Sequence, residues 1–250
     1  MSTSFAERVA LVIGGTGGIG AATARAFSNK GARVLVGGRR ADAGKVVVDD
    51  IVRNGGVAEF CYVDVCDSLS IEKLIAFCDD RWGRLDFAFN NAGWEGTAQD
   101  TAHIEEADWQ RMIDVKLNGL WRSLKQELVY MSQQERGAIV NMAGSWGLTG
   151  FPQFSSYCAA AHGVVGLTRA SAMEYAPKGI RVNAVCPGAV DAPMLDRMVG
   201  GDESLKDSFG SSLPLGRIAK PDEVAAAIVW LCSDESSYVT GHALPLTGGV

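Results

Sequence analysis

The sequence predicts an α/β fold in which a doubly wound parallel sheet of about seven strands has helices on both faces. Short runs rich in Val, Ile and Leu alternate with helical stretches along the chain. These runs are apolar at nearly every position, as strands that are buried on both faces require. No linker or charge run divides the 250 residues. We therefore expect a single domain over residues 1–250.

The first half of the chain predicts four strands separated by three helices. The predicted strands are 8–14, 33–38, 57–65 and 85–93, and the predicted helices are 18–31, 41–56 and 68–83. We expect Ser68 or Ser70 to cap the third helix and Gly83 to end it, since these residue types are favoured at those positions.

The second half continues the alternation with longer elements. The predicted strands are 137–144, 180–188 and 243–249, and the predicted helices are 104–135, 155–176 and 221–233. Residues 189–220, called here the lid segment, are rich in Gly, Ser and Pro. This segment is too long for an ordinary connection, so we expect an irregular loop that acts as a substrate lid.

The turns at the carboxyl ends of the strands form the candidate ligand site. In doubly wound sheets, ligands bind beyond those ends. The turns concerned follow the first, fourth, fifth and sixth strands and span 14–20, 90–96, 144–150 and 187–195.

Composition excludes several classes of partner. The net charge of −6 gives no support to nucleic-acid or anionic-membrane binding. The six cysteines form no CxxC pair and have no histidine cluster nearby, so we expect reduced thiols and no metal site. No segment reaches the roughly 18 apolar residues of a membrane span, and no signal peptide is evident, so we expect a cytoplasmic protein.

The segment GGTGGIG at 14–20 predicts a nucleotide site. It follows a strand and opens a helix, whose free N–H groups and positive dipole end bind a pyrophosphate. An acid at the end of the second strand would bind the ribose 2′-hydroxyl of NAD, but the chain has Gly38 followed by Arg39 and Arg40. Arginines without an acid suit a 2′-phosphate, so we expect NADP(H) with NAD as the alternative.

Further motifs accompany the glycine-rich turn. They are YVDV with Asp64, NNAG at 90–93, IVNMA at 139–143, Tyr157, PGAV at 187–190 and the terminal YVTGHALPLTGG. With these motifs the chain resembles, almost end to end, the short-chain dehydrogenase/reductase family. The resemblance implies a Rossmann-type fold and hydride transfer between a nicotinamide and a carbonyl, alcohol or imine.

The resemblance also implies which residues bind the cofactor. Beside Arg39 and Arg40 they are Gly14, Thr16, Gly18, Ile19, Gly20, Asp64, Val65, Asn90, Ala92, Gly93, Tyr157, Pro187, Gly188 and Val190. By this resemblance the glycines hold the pyrophosphate, Asp64 meets the adenine ring and Asn90 lies beside the adenosine half.

The residues of the family's chemistry are largely replaced. The family uses Asn, Ser, Tyr and Lys, and only the tyrosine, Tyr157, is present here. The lysine position holds Ala161, the serine position Gly144 and the asparagine position Lys116. Ala192 also replaces a threonine that touches the nicotinamide. The departures cluster at the nicotinamide end, so the sequence supports cofactor binding more firmly than hydride transfer.

Three neighbours are possible substitutes for the lost side chains. His162 follows Tyr157 by five residues, about 140° around the helix, so it points away. Ser145 follows Gly144, and its side chain turns to the other face unless the backbone bends there. Lys116 lies opposite Ala161, and we expect its ammonium to supply the cation that favours the Tyr157 phenolate. The alternative for Lys116 is a solvated or salt-bridged lysine.

The expected substrate pocket contains several bulky side chains. Its residues are Trp94, Gly144, Trp146, Phe154 and Met194, with Phe151 nearby. They indicate a bulky apolar or aromatic substrate, although core or interface packing would also explain them. By resemblance, helices 104–135 and 155–176 form a homodimer or homotetramer interface.

Three other functions stay open at this point. The first is a non-redox dehydratase, isomerase or cyclase on the same fold. The second is an engineered, inactive variant of an ordinary reductase, and the third is a catalytically silent nucleotide-binding protein.

Overall fold

The computed structural model describes residues 4–249, and seven strands lie within that range. They are β1 (Val9–Ile13), β2 (Arg33–Gly38), β3 (Val57–Tyr62), β4 (Phe87–Asn90), β5 (Gly137–Met142), β6 (Ile180–Pro187) and β7 (Ala243–Leu246). All pair in parallel in the order β3-β2-β1-β4-β5-β6-β7. The order reverses direction at β1 and β4, so the predicted doubly wound parallel sheet is confirmed.

Helices connect the strands and cover both faces of the sheet. Within the described residues they are α1 (Gly18–Asn29), α2 (Ala41–Arg53), α3 (Ser68–Trp82), α4 (Glu106–Met112), α5 (Gly119–Gln134), α6 (Ser155–Tyr175), α7 (Pro193–Met198), α8 (Glu203–Ser211) and α9 (Pro221–Cys232). None of them is long and apolar enough to cross a membrane.

Strand β1 shows why the strands are apolar at every position. Val9, Leu11 and Ile13 pack into the core formed with α3, α5 and α6. Ala10 and Val12 point to the opposite face, into the core formed with α1 and α9. Because side chains alternate along a strand, a sheet covered on both sides needs apolar residues at odd and even positions alike.

The start of α3 differs from the prediction. The cap is Asp67, whose side chain accepts a hydrogen bond of 2.9 Å from the backbone N–H of Leu69. Ser68 is already the first helical residue, and only the residue before it has the extended backbone from which a side chain reaches that N–H. Gly83 ends the helix with a left-handed φ of 65°, as predicted.

The predicted helix over 104–135 is not a uniform α-helix. It consists of α4, a π-helical turn over Ile113–Asn118, and α5. A π-helical turn inserts an extra residue per turn and occurs frequently at functional sites. Here it carries Lys116, whose side chain is only 3% exposed.

The lid segment is not irregular, contrary to the prediction. It contains α7 and α8. Pro193 stands in the first turn of α7, and the side chain of Asp202 caps α8 by accepting from the backbone N–H groups of Ser204 and Leu205. Proline and aspartate are typical helix-start residues, which the Gly- and Ser-rich composition of the segment concealed.

Candidate active site

A cavity of about 920 Å³ opens at the carboxyl ends of the strands. Its walls come from the turns after β1 to β6, from the π-helical turn, from α6 and from the lid segment. Most residues predicted for the site line it, namely Gly14, Thr16, Gly18, Ile19, Arg39, Arg40, Asp64, Val65, Ala92, Gly93, Lys116, Gly144, Trp146, Tyr157, Pro187, Gly188, Val190 and Met194. Elements that are distant in sequence therefore meet where the topology predicts a ligand.

The turn after β1 has room for backbone only. A Cβ added to Gly14 would lie 2.8 Å from the backbone nitrogen of Ala92, and Gly14 has a left-handed φ of 78°. A Cβ on Gly20 would lie 2.1 Å from the carbonyl oxygen of Gly14. The Asn91 side chain donates a hydrogen bond of 3.1 Å to the same oxygen. This close packing leaves the N-terminus of α1 open to the cavity, which fits a bound pyrophosphate.

Positive charge lies at the outer end of this turn. Arg39 and Arg40 line the cavity, and both are exposed. The Arg40 guanidinium donates to the backbone oxygen and the hydroxyl of Thr16, at 3.3 and 3.2 Å. A Cβ on Gly38 would lie 2.6 Å from the Thr16 methyl group, so a larger side chain there requires Thr16 to move.

The turn after β3 is held by its own hydrogen bonds. The Asp64 carboxylate accepts a hydrogen bond of 3.0 Å from the backbone N–H of Cys66. The hydroxyl of Ser70 accepts a hydrogen bond from the backbone N–H of Asp64. The Arg122 guanidinium donates a hydrogen bond of 3.3 Å to the backbone oxygen of Val65. The turn is thus fixed against α5, with Asp64 and Val65 at the cavity wall.

Together these features fit an extended dinucleotide. The glycine cradle would hold the pyrophosphate and the Asp64–Val65 turn the adenine, with Arg39 and Arg40 lining the same cavity. The cavity then continues inward to Tyr157 and Lys116.

Tyr157 and Lys116 face one another at the inner end of the cavity. The Lys116 ammonium nitrogen lies 4.2 Å from the centroid of the Tyr157 ring, over its face. Tyr157 is 9% exposed. Among the residues described, Lys116 has no carboxylate partner and no hydrogen bond. The alternative of a salt-bridged lysine therefore does not match its position within the described residues, whereas the alternative of a lysine solvated by water in the cavity stays open.

An aromatic group forms the wall beside Tyr157. The Trp146 ring stacks on Phe151 at 4.3 Å and meets Tyr157 edge-on at 5.3 Å. Phe154 packs against Trp146 at 4.9 Å. Met194 of the lid segment also lines the cavity. This end of the cavity is therefore mostly apolar, with Lys116 as a buried cation.

Ion pairs hold the lid segment together and join it to the turn after β4. The Lys206 ammonium lies 2.6 Å from a carboxylate oxygen of Asp191 and 2.8 Å from one of Asp196. These hydrogen bonds raise the pKa of Lys206. The Arg197 guanidinium donates a hydrogen bond to each carboxylate oxygen of Glu95, one of them at 2.9 Å. Burial raises the pKa of Glu95, but the hydrogen bond from Arg197, a backbone hydrogen bond and the charges of Arg197 and Arg111 together outweigh it, so the pKa lies below its usual value.

Comparison with known proteins decides the family. A family model described as enoyl-(acyl carrier protein) reductase matches residues 14–250. Cyclohexanol dehydrogenase of Acinetobacter sp. (strain SE19) is 38% identical, over 99% of this chain and 96% of that protein. The chain belongs to the short-chain dehydrogenase/reductase family. The resemblance seen in the sequence is thus confirmed.

Other members of the family agree over their full length. Cis-4-hydroxycyclohexanecarboxylate dehydrogenase of Sinomonas cyclohexanicum is 39% identical, over all of this chain and 98% of that protein. The structure of levodione reductase superposes with a TM-score of 0.92 at 34% identity, covering 98% of this chain and 97% of that one. The structure of the actinorhodin polyketide ketoreductase, solved as a variant with NADPH, superposes with a TM-score of 0.92 at 35% identity. The match covers 99% of this chain and 98% of that one. These relatives are oxidoreductases.

Ala161, at the family's lysine position, is closely packed by its neighbours. Ala161 is fully buried, in a cluster with Met112, Tyr157 and Ala160. A Cβ on Gly147 would lie 2.9 Å from the backbone oxygen of Ala161, so the two segments are in close contact. Ala161 is not part of the cavity wall.

Four residues expected at the site do not line the cavity. The side chain of Asn90 is buried and donates hydrogen bonds to Glu127 and Asn141, at 2.9 and 3.1 Å, so it points into the core and not into the cavity. Gly20 serves the packing of α1 on the turn after β1. Trp94 and Phe154 lie behind the wall, Trp94 against Arg111 with the guanidinium 4.4 Å from its ring.

Some residues at the cavity escaped the sequence analysis. Asn91 and Arg197 line it. The sequence could have indicated Asn91, because NNAG contains two adjacent asparagines at a strand end. Adjacent residues there point to opposite sides, so one of the two is expected to face the cavity. Arg197 had none, because its pairing with Glu95 joins positions 102 residues apart.

Proposed function

We propose that this protein is an NADP(H)-dependent oxidoreductase that transfers hydride between the nicotinamide and a carbonyl or alcohol of a bulky apolar or aromatic substrate. The observation that carries the proposal is the Lys116 ammonium over the Tyr157 ring at the inner end of a cavity shaped for a dinucleotide. The family's tyrosine is kept, and a cation stands beside it although the family's lysine is absent.

The cofactor, when bound, supplies or accepts the hydride. The residues of this chain hold it: the N-terminus of α1 binds the pyrophosphate, and Arg39 pairs with the 2′-phosphate. Because an arginine–phosphate contact is charge-assisted and forms only with NADP(H), it selects that cofactor over NAD(H).

Tyr157 is the acid and base. In reduction its hydroxyl gives its proton to the substrate oxygen, and in oxidation the phenolate takes that proton back. The Lys116 ammonium lies over the ring that carries this hydroxyl, and a cation is attracted electrostatically to an aromatic face. A buried site strengthens this interaction because water does not screen it.

The wall beside Tyr157 supports a ring-shaped apolar substrate. Trp146 and Phe151 present flat aromatic surface, and Met194 of the lid segment lines the same cavity. The names of the relatives point the same way, since cyclohexanol and a hydroxycyclohexanecarboxylate are cyclic alcohols.

The test follows NADPH absorbance with a panel of cyclic and aryl ketones, and NADH in parallel. We expect consumption of NADPH in proportion to the alcohol formed, faster than that of NADH. Conversion of substrate without a change in NADPH would indicate a non-redox enzyme. Binding of NADPH without turnover on any ketone would indicate a silent nucleotide-binding protein.

We also propose that the protein is a cytoplasmic homodimer or homotetramer. Large apolar side chains stand exposed on α5 and α6, namely Trp121 at 48%, Val129 at 51% and Met173 at 81%. Exposed apolar residues of this size favour an interface between copies of the chain. Sedimentation velocity should show a species of at least twice the mass of the chain, and a monomer would contradict this.

A further inference from the structure

The family's serine position has no room for a side chain here. Gly144 has a left-handed φ of 87°, and a Cβ added to it would lie 2.9 Å from the hydroxyl oxygen of Tyr157. Such an approach is closer than real Cβ contacts allow. A serine at 144 would therefore require the Tyr157 hydroxyl to shift, and it would also strain the backbone at this positive φ.

The backbone at Gly144 redirects the next residue. Strand β5 ends at Met142, and a 3-10 turn over Ser145–Gly147 follows Gly144 directly. In a continuing strand, Ser145 would point away from the side that the family's serine occupies. Because the strand has ended and Gly144 takes a positive φ, this alternation no longer applies, and Ser145 lines the cavity beside Gly144 and Trp146.

The hydroxyl of Ser145 is available to a ligand. Its backbone oxygen accepts from Leu148 and Thr149, but within residues 4–249 its side-chain oxygen has no hydrogen-bond partner. Consecutive Cα atoms are about 3.8 Å apart, so the Ser145 Cα lies within about 8 Å of the Tyr157 hydroxyl. This upper bound places Ser145 and Tyr157 at the same end of the cavity, which both residues line.

We propose that Ser145 is a catalytic residue that donates a hydrogen bond to the reacting substrate oxygen, in place of the family's serine. The proposal rests on the proposed function. As the carbonyl carbon accepts hydride, its oxygen gains negative charge and then the proton of Tyr157. Ser145 keeps its own proton and donates a hydrogen bond throughout. It thereby stabilises the charge that develops in the transition state.

The two hydroxyls and the lysine then have separate tasks. Lys116 places its positive charge over the ring of Tyr157. Ser145 acts on the substrate oxygen directly, where one fixed donor contributes roughly 10²–10³ in turnover.

The first test compares Ser145→Ala with Ser132→Ala. Ser132 is a half-buried serine of α5 that bonds a backbone oxygen of its own helix. We expect Ser145→Ala to lower kcat for ketone reduction roughly 10²–10³-fold while the Kd for NADPH stays within about twofold. Ser145→Thr should retain part of the activity, and Ser132→Ala should retain all of it. An unchanged kcat in Ser145→Ala would overturn the proposal.

A second measurement does not depend on turnover. The infrared stretch of ¹³C-labelled cyclohexanone is recorded in its complex with the enzyme and NADP⁺, which cannot reduce it. Hydrogen bonds lower this frequency, so Ser145→Ala and Tyr157→Phe should each raise it. An unchanged frequency in Ser145→Ala overturns the role of the serine even if the wild type reduces ketones. A wild type that reduces none overturns the proposed function, and the frequency still reports on Ser145.

The family's arrangement can also be rebuilt. In the double variant Gly144→Ser/Ser145→Ala the serine returns to its usual place in the sequence. We expect no recovery over Ser145→Ala, because the added Cβ meets the Tyr157 hydroxyl. Recovery to the wild-type kcat would show that position 144 accepts the serine, and would overturn the argument.

Discussion

The ammonium nitrogen of Lys116 lies 4.2 Å from the ring centroid of Tyr157, and both side chains are buried against the cavity. A cation over an aromatic ring is stabilising by roughly 0.5–2 kcal/mol. Burying an ammonium without a carboxylate partner costs more than that. A charge kept in such a place at a cost in stability is typical of a functional group.

Lys116→Met should separate activity from stability. We expect kcat to fall roughly 10²–10⁴-fold, the range for a lost contribution to acid–base catalysis. The melting temperature should stay the same or rise, because a buried charge is replaced by an apolar side chain of similar length. Turnover and thermal unfolding are measured side by side. Lys125→Met is the control, since Lys125 lies over Trp121 on the exposed side of α5, away from the cavity. Full activity in Lys116→Met would show that Tyr157 needs no cation.

Restoring a lysine at 161 should not by itself create an ordinary reductase. Ala161 is fully buried among Met112, Tyr157 and Ala160, so a lysine there overpacks the cluster by about 1–3 kcal/mol. It also brings a second ammonium close to Lys116. We expect Ala161→Lys to be less stable and no more active than the wild type. Ala161→Lys/Lys116→Asn, which rebuilds the family's pair, should be more active than Ala161→Lys. A gain in the single variant would mean that the chain is merely a disabled reductase.

The fold was predictable because each local signal agreed with the global pattern. Strand β1 needed apolar residues on both faces, and Val9 to Ile13 provide them. The boundaries that failed involve competing neighbours, as where Asp67 caps α3 beside two plausible serines. The π-helical turn at Ile113–Asn118 was missed because the pattern over 104–135 predicts one continuous α-helix, and a single inserted residue shifts the apolar pattern by only one position.

The site was predictable where backbone conformation carries it. The glycine-rich turn and the arginines after β2 lie where the sequence places them. Asn90 and Asn91 are adjacent and chemically identical, and only the register of β4 shows which one points into the core. The approach of Lys116 to Tyr157 depends on how the π-helical turn meets α6, a tertiary contact that no local pattern encodes.

Arg39 and Arg40 should differ in their effects on cofactor binding. Arg40 holds the turn after β1 through Thr16, whereas Arg39 has no side-chain partner among the described residues and is free to bind a phosphate. We expect Arg39→Gln to weaken NADPH binding at least about tenfold and to leave NADH unaffected, since a hydrogen bond to a charged group contributes about 1.5–3 kcal/mol. Arg40→Gln should weaken both cofactors.

The check is a pair of Kd values, for NADPH and NADH, from tryptophan fluorescence. Arg53→Gln serves as the control, because Arg53 is an exposed arginine at the far end of α2 and outside the cavity. Equal losses for both cofactors in Arg39→Gln would contradict a role in binding the 2′-phosphate.

The buried Glu127 should make stability fall as pH rises. Burial raises the pKa of Glu127 to about 7, although Asn90 donates a hydrogen bond to it. One oxygen of Glu127 and the side-chain oxygen of Asn90 have no partner among the described residues. The folded state therefore prefers the protonated acid. The stability it contributes is complete below the unfolded pKa of about 4.5 and is lost as pH rises through 7.

Glu127→Gln removes this dependence, because the amide is neutral at every pH. Relative to this variant, the free energy of unfolding of the wild type should fall by about 2 kcal/mol between pH 5.5 and 8. Urea unfolding across that range measures the difference. Glu106→Gln, at an exposed acid of α4, should follow the wild type. Parallel curves for Glu127→Gln and the wild type would show that Glu127 is ionised in the folded state.

The pair of Arg197 and Glu95 should control how long the cofactor stays bound. It joins α7 to the turn after β4, and Arg197 itself lines the cavity. Because Arg197 is largely exposed, we expect a contribution of about 0.2–1 kcal/mol, so Arg197→Gln should speed NADPH dissociation up to about fivefold in stopped-flow displacement. The exchanged double variant Glu95→Arg/Arg197→Glu should regain part of the slow rate.

Arg217→Gln is the control, because it breaks the similar bidentate pair with Glu223, away from the cavity, and should leave NADPH dissociation unchanged. Equal acceleration in both single variants would mean that the lid segment loosens as a whole, without a specific role for the contact to Glu95.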